Sequence, residues 1–114
     1  MNTELKTLLG DSITVNSNVI PIAHLKYTGG SKTYITWTII SDIPSLCGDD
    51  ECLYSIATVD IDIFSDGNYL DIENAIKDLM KNNNWVWTED SSEMLEDDTG
   101  LYHKTCTFEK ERIL

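Results

Sequence analysis

Asp60 and Asp62 are the residues of this chain whose type and spacing come closest to a chemical device. Two carboxylates one residue apart on an extended segment share a face, because alternate side chains of a strand point to opposite sides. Oxygen donors placed in this way begin a divalent-cation site or an acid–base pair. The stretch that carries them, YSIATVDIDIF from Tyr54 to Phe64, alternates, with Val59, Ile61 and Ile63 on the other face. A metal site needs further ligands converging from elsewhere, and nothing in the spacing supplies them. The pair is therefore read as the wet or partner-facing side of a strand.

The remaining nucleophiles and ligands are sparse. Cys47 and Cys52, in CGDDEC, are too far apart in sequence for a zinc knuckle, and no CxxC or HxxxH completes them. His103 and Cys106 differ by three, so on a strand they face opposite ways and do not form a base and nucleophile. There is no GxSxG, and no glycine-rich loop opens a helix as phosphate binding requires. The expectation is no enzyme activity, no metal and no cofactor, with Cys47, Cys52 and Cys106 as reduced thiols.

Elements must position these residues. Thr3 caps a short helix with a Leu5, Leu8, Leu9 stripe, ended by Gly10. Residues 13–27 are spaced irregularly and contain Pro21, which predicts a loop and an edge-like extended segment. KTYITWTIIS, Lys32 to Ser41, predicts a strand. DIPSLCGDDE, Asp42 to Glu51, predicts a long acidic connection to a second strand over Leu53 to Ser65. Asn68 caps the clearest helix, whose apolar face is Tyr69, Ile72, Ala75, Ile76, Leu79 and Met80 and whose polar face includes Glu73, Asn74, Lys77, Asp78 and Lys81. Trp85-Val86-Trp87 opens a third strand and Leu101 to Phe108 a fourth. Between them TEDSSEMLEDDTG, six acids in thirteen residues, predicts a mobile hairpin loop. The expected architecture is α+β: an antiparallel sheet of about four strands with helices packed on one face, in a single domain over residues 1–114. Helices cover one face of such a sheet, so some Tyr, Trp and Asp look outward, as at a protein interface.

The charge narrows the partners. Twenty acidic against eight basic residues give a net charge of −12 over 114 residues. Binding a phosphate backbone takes clustered Lys and Arg, which are absent, so specific nucleic-acid binding is not expected. No apolar run is long enough to span a bilayer, and MNTELKTLLGD lacks a secretory pattern, which points to the cytoplasm.

From Thr33 to Leu114 the order of pieces resembles the tail-completion proteins of long-tailed bacteriophages and prophages, also called tail terminators or head-to-tail joining proteins. The likeness rests on YITWTIISD (Tyr34 to Asp42) with its following loop, YSIATVDIDIFSDG (Tyr54 to Gly67), the helix LDIENAIKDLM (Leu70 to Met80), and the closing YHKTCTFEKERI (Tyr102 to Ile113). The resemblance implies a homohexameric ring that caps the tail tube protein, joins the head–tail connector protein and lets DNA through, at the tail–head joint of the virion and in the host cytoplasm during assembly. A lumen lined by carboxylates repels DNA and so lets it slide. Asp60 and Asp62 are then candidates for lumen or subunit contacts. The acidic loops, with Asp49, Asp50 and Glu51 in one and Glu93, Glu96, Asp97 and Asp98 in the other, are candidates for docking to tube or connector.

Two other readings use the same carboxylates. A small acidic inhibitor, an immunity or DNA-mimic protein, binds a basic enzyme one to one. A metal-dependent enzyme built on Asp60 and Asp62 binds a divalent ion stoichiometrically.

Overall fold

The computed structural model describes residues 2–48, 51–91 and 93–113, without the side chains of residues 2, 45–47, 51 and 52. In chain order the elements are α1 (Asn2–Leu9), β1 (Ser12–Val15), β2 (Asn18–His24), β3 (Tyr34–Gly48), β4 (Glu51–Ser65), α2 (Leu70–Lys81), β5 (Val86–Asp90), β6 (Met94–Leu95) and β7 (Tyr102–Ile113).

Alternation decides the centre of the sheet. In β4 every second residue, Ser55, Ala57, Val59, Ile61, Ile63 and Ser65, is buried, the period an extended strand imposes. β4 lies between β3 and β7 and is antiparallel to both. The strand order is β1-β2-β3-β4-β7-β5, with β6 also paired to β7, and β2 runs parallel to β3.

The α+β expectation of a four-stranded antiparallel sheet with packed helices is therefore overturned. Among the described residues the chain is mostly β, with seven strands in one mixed sheet and two short helices making up 18% of the chain. The largest miss lies in residues 11–32, where a hairpin forms. Asn16 and Ser17 adopt positive φ (51° and 68°), which makes the tight turn whose twist matches that of paired strands. Pro21 does not break β2, because it stands at the end rung of the β1 pairing and one residue before the β3 pairing begins at Ile22. The Ile22 amide instead donates to the Asp11 carbonyl at 2.8 Å. Residues 25–33 then carry the chain back, so that β3 starts alongside β2 in the same direction.

A second correction concerns Asp42 to Glu51. The predicted acidic connection is mostly strand: β3 continues to Gly48 and pairs with β4 as far as Glu51, past an irregularity between Ile39 and Ser41. Pro44 is tolerated because β2 pairs only with residues 35–37, so that among the described residues no strand lies along the outer edge of β3 beyond Trp37. β7 accompanies β4 until Ile113 meets Tyr54. The result is an arm, three strands wide at its root and two at its tip, on a molecule of 52 × 27 × 23 Å.

The segment predicted as a mobile loop, residues 88–100, is also more ordered than its polarity suggests. β5 takes up its start, β6 pairs with Tyr102 and His103, and the Gly100 amide donates to the Glu96 carbonyl at 2.8 Å to close the turn.

One cluster of buried side chains joins Leu5 and Leu9 of α1, Ile72, Ile76 and Met80 of α2, and Ile35, Trp37, Val59, Ile61, Ile63 and Phe108 of the sheet. Each such side chain contributes about 1.5–3 kcal/mol by leaving water. The predicted apolar face of α2 is the one that packs, with Tyr69, Ala75 and Leu79 partly buried at its margin. The cap position is Tyr69, and the side-chain Oδ1 of Asn68 accepts from the Leu70 amide at 2.9 Å just outside it. Thr3 lies inside α1 and not at its cap, whereas Gly10 ends the helix as expected, at φ 66° with its amide donating to the Lys6 carbonyl.

Candidate functional site

The face of β4 that carries Asp60 and Asp62 is the one turned away from the buried cluster. Its rungs read across β3, β4 and β7 as Tyr34–Phe64–His103, Thr36–Asp62–Thr105, Thr38–Asp60–Thr107, Ser41–Thr58–Glu109 and Ile43–Ile56–Glu111. The face thus passes from aromatic, through Thr–Asp–Thr, to apolar and acidic on the arm.

At the aromatic end the rings of Tyr27, Tyr34, Phe64 and His103 stack in succession, with centroids 4.5, 4.6 and 4.2 Å apart. Such cross-strand pairs hold register and shield the strands from water. Strand alternation made the Phe64 position legible, but the ladder needed the pairing of three strands and went unpredicted.

The two aspartates are already engaged. Asp60 Oδ1 accepts from the Thr107 hydroxyl at 2.6 Å. Asp62 Oδ1 accepts from the Thr105 hydroxyl at 2.5 Å and lies 2.8 Å from His103 Nε2. The other imidazole nitrogen, Nδ1, is 3.3 Å from Glu96 Oε1. His103 therefore bridges β4 to the turn after β6, a role the sequence reading missed because it treated His103 only as a partner for Cys106. Replacing Asp60 and Asp62 together with Ala is expected to leave the fold intact and to cost about 1–2 kcal/mol in urea unfolding. Each change removes hydrogen bonds worth about 1 kcal/mol net, on a half-exposed face where the threonines rehydrate.

The other predicted site residues divide. Glu93, Asp97 and Asp98 are exposed and Glu96 is half-buried against His103. Glu93 sits beside Tyr69, whose hydroxyl is raised above its ordinary value first by burial and then by the Glu93 charge. Asp49, Asp50 and the Glu51 side chain lie outside the described residues. The structure brings Asp62 and Glu96 together through His103.

A second constellation lies on the helix-covered face. Glu73, assigned to the polar face of α2 by periodicity, is buried, with its side chain 5% exposed. Its carboxylate is 3.2 Å from Lys77 Nζ and 3.0 Å from Lys104 Nζ, and both ammonium groups also reach Asp90. The Lys77 ammonium stands over the Trp87 ring at 3.8 Å, and Trp87 Nε1 donates to Asp90 at 2.7 Å. Among the described residues, Glu73, Asp90 and Cys106 form a set of three possible metal ligands, with ligand atoms within 4.8 Å of one another. Two positive charges already balance the two carboxylates there, and Cys106 is held as a thiol, raised by burial and then by the Asp90 charge. The chemistry of this set is that of an internal ion network.

The exposed apolar residues gather on the arm and at the sheet ends. Ile43 is 60% exposed, Leu53 52% and Ile113 84%. No protein-family model matches this chain, and no curated protein matches it in sequence.

Proposed function

We propose that this chain is a structural assembly protein of the tail-completion kind, which forms a ring on the end of a phage tail tube and joins it to the head connector while letting DNA pass. The arm is the observation that carries the reading. It projects β-strand edge and apolar side chains, Ile43, Ile56 and Ile113, into solvent. Monomers rarely leave such features uncovered, because an open edge recruits another chain and an apolar patch seeks a partner. A repeated head-to-tail contact of one arm on the next copy closes into a ring when its rotation permits. The acidic excess supports the passage of DNA, since carboxylates around a lumen oppose phosphate within about 8–10 Å at physiological salt.

The test is electron microscopy of the purified protein mixed with tail tubes. Caps at one end of the tubes, built from six copies, are expected. Ile43→Asp combined with Ile56→Asp is expected to abolish the caps while shifting the urea midpoint little, because both side chains are exposed. Tubes left bare by the unaltered protein, or a tight one-to-one complex with a cationic enzyme, would replace this reading by that of an acidic inhibitor.

A further inference from the structure

Cys47 of β3 and Cys52 of β4 are register partners one rung inside the Gly48–Glu51 rung that ends the arm. Residues directly opposite each other on antiparallel strands have Cα atoms about 4.5–5.5 Å apart. Disulfides span Cα separations of about 4.4–6.8 Å. The sequence spacing gave no hint of this: four intervening residues suit neither a zinc knuckle nor a CxxC redox motif, and only the continuation of both strands toward the turn sets the two cysteines opposite each other.

We propose that Cys47 and Cys52 are a modification site: they close reversibly into a cross-strand disulfide that locks the tip of the arm. The oxidant is a small-molecule disulfide of the glutathione class. One cysteine thiolate attacks a sulfur of that disulfide, forming a mixed disulfide and releasing one small thiol. The second thiolate attacks the protein sulfur of the mixed disulfide, closing the Cys47–Cys52 bond and releasing the second small thiol. Two protein S–H groups are lost, two small thiols are gained, and two electrons pass from the protein to the oxidant. The third cysteine does not compete. Cys106 is fully buried, and its thiol, pushed up by burial and by the neighbouring Asp90 charge, supplies almost no thiolate.

The bond fixes register where the sheet does so least. Beyond Tyr54, among the described residues, β3 and β4 pair only with each other, and there a slip by one residue would turn one strand's side chains to the opposite face. The pair stays open in a reducing cytosol and closes when the protein meets an oxidising medium. It holds whether or not the arm builds a ring.

The test equilibrates the full chain across a series of reduced to oxidised glutathione ratios, blocks free thiols with a maleimide, and reads intact mass and peptide map. At the oxidised end a mass loss of about 2 Da is expected, with Cys106 the single thiol that is blocked after unfolding and with the two halves of a cut at Asp49 or Asp50 still joined. The same equilibrium measured in urea separates fold from mere proximity in sequence: closure is expected to be at least about tenfold more favourable in the folded chain. In Cys47→Ser, Cys52 is expected to stop at the mixed disulfide. Two cysteines that remain open to the maleimide at every ratio, mixed disulfides that never close, or equal closure in urea would each overturn the proposal.

Discussion

Truncating Trp37 to Ala is expected to lower the free energy of unfolding by about 4 kcal/mol, which for a chain of this size moves the melting temperature by on the order of 15 °C. Trp37 is 1% exposed. It is the register partner of Ile61 on one side and of His24 on the other, and its ring stacks on the imidazole at 4.0 Å and 20°. Removing the indole opens a large void in the middle of the core, where its neighbours belong to two different strand pairings and do not collapse inward together. A cost of this size is a large share of the 5–15 kcal/mol that holds a typical domain together. Trp37→Phe keeps much of the volume and is expected to lose about 1.5 kcal/mol. A second readout separates local from global damage. β2 is held to β3 by three register pairs, Ile22, Ala23 and His24 against residues 35–37, so Trp37→Ala is expected to release amide-exchange protection in β2 before it does so in β4. A change of less than 1 kcal/mol, with β2 protection intact, would mean that the parallel pairing does not depend on this ring.

How much of this was legible follows from which interactions are local. The β4 strand and the packed face of α2 were readable because periods of 2 and 3.6 are properties of the chain itself, and Val59, Ile61 and Ile63 or Ile72, Ile76 and Met80 display them without outside help. The β1–β2 hairpin was not, because Asn16-Ser17 is a weaker turn signal than Asn-Gly and because Pro21 counts against a strand unless one knows that it falls between two ladders. The arm was misjudged for the opposite reason. Asp42, Pro44 and Gly48 read as turn residues, yet strand pairing to β4 overrides local preference, and an edge position tolerates the proline. Asp60 and Asp62 were correctly placed on one face, while Thr105, Thr107 and His103, which occupy them, come from a strand more than forty residues away and leave no trace in local spacing. Glu73 shows the limit of periodicity: it lies at the border of the apolar stripe, and its burial depends on Lys104 arriving from β7 to join Lys77 of its own helix.

Glu73→Gln is expected to cost about 2–3 kcal/mol at neutral pH. The unaltered network sums to zero, with Glu73 and Asp90 against Lys77 and Lys104. Removing one buried partner of such a network typically costs 3–5 kcal/mol, because the remaining charge stays desolvated. The lower figure applies here because the lysine side chains keep 18–22% of their surface in water. The pH profile follows from the directions of the shifts. Burial pushes Asp90 up, but hydrogen bonds from Lys77 and Trp87 outweigh it and hold the group below its ordinary value. Its contribution is therefore complete above the ordinary carboxylate value of about 3.9 and fades as pH falls through the lower folded value. Burial lowers Lys77, yet its bonds to Asp90 and Glu73 leave it raised; Lys104 is raised chiefly by Glu73 against a smaller effect of burial. Their contributions are complete below the ordinary lysine value of about 10.4 and fade as pH rises through the raised folded values. The combined contribution of Asp90, Lys77 and Lys104 is thus flat from about pH 4 to 10. In Glu73→Gln the main support of Lys104 is gone and burial opposes its charge, so the alkaline decline is expected to flatten. The paired change Glu73→Leu with Lys104→Met leaves Lys77 and Asp90 balanced and is expected to recover most of the loss, since a buried ion pair exchanged for apolar groups of similar volume is close to neutral. If urea unfolding instead found the single change nearly free, or the pair no better than Glu73→Gln alone, the network would be a solvated surface cluster and Cys106 would owe its protonated state to burial alone.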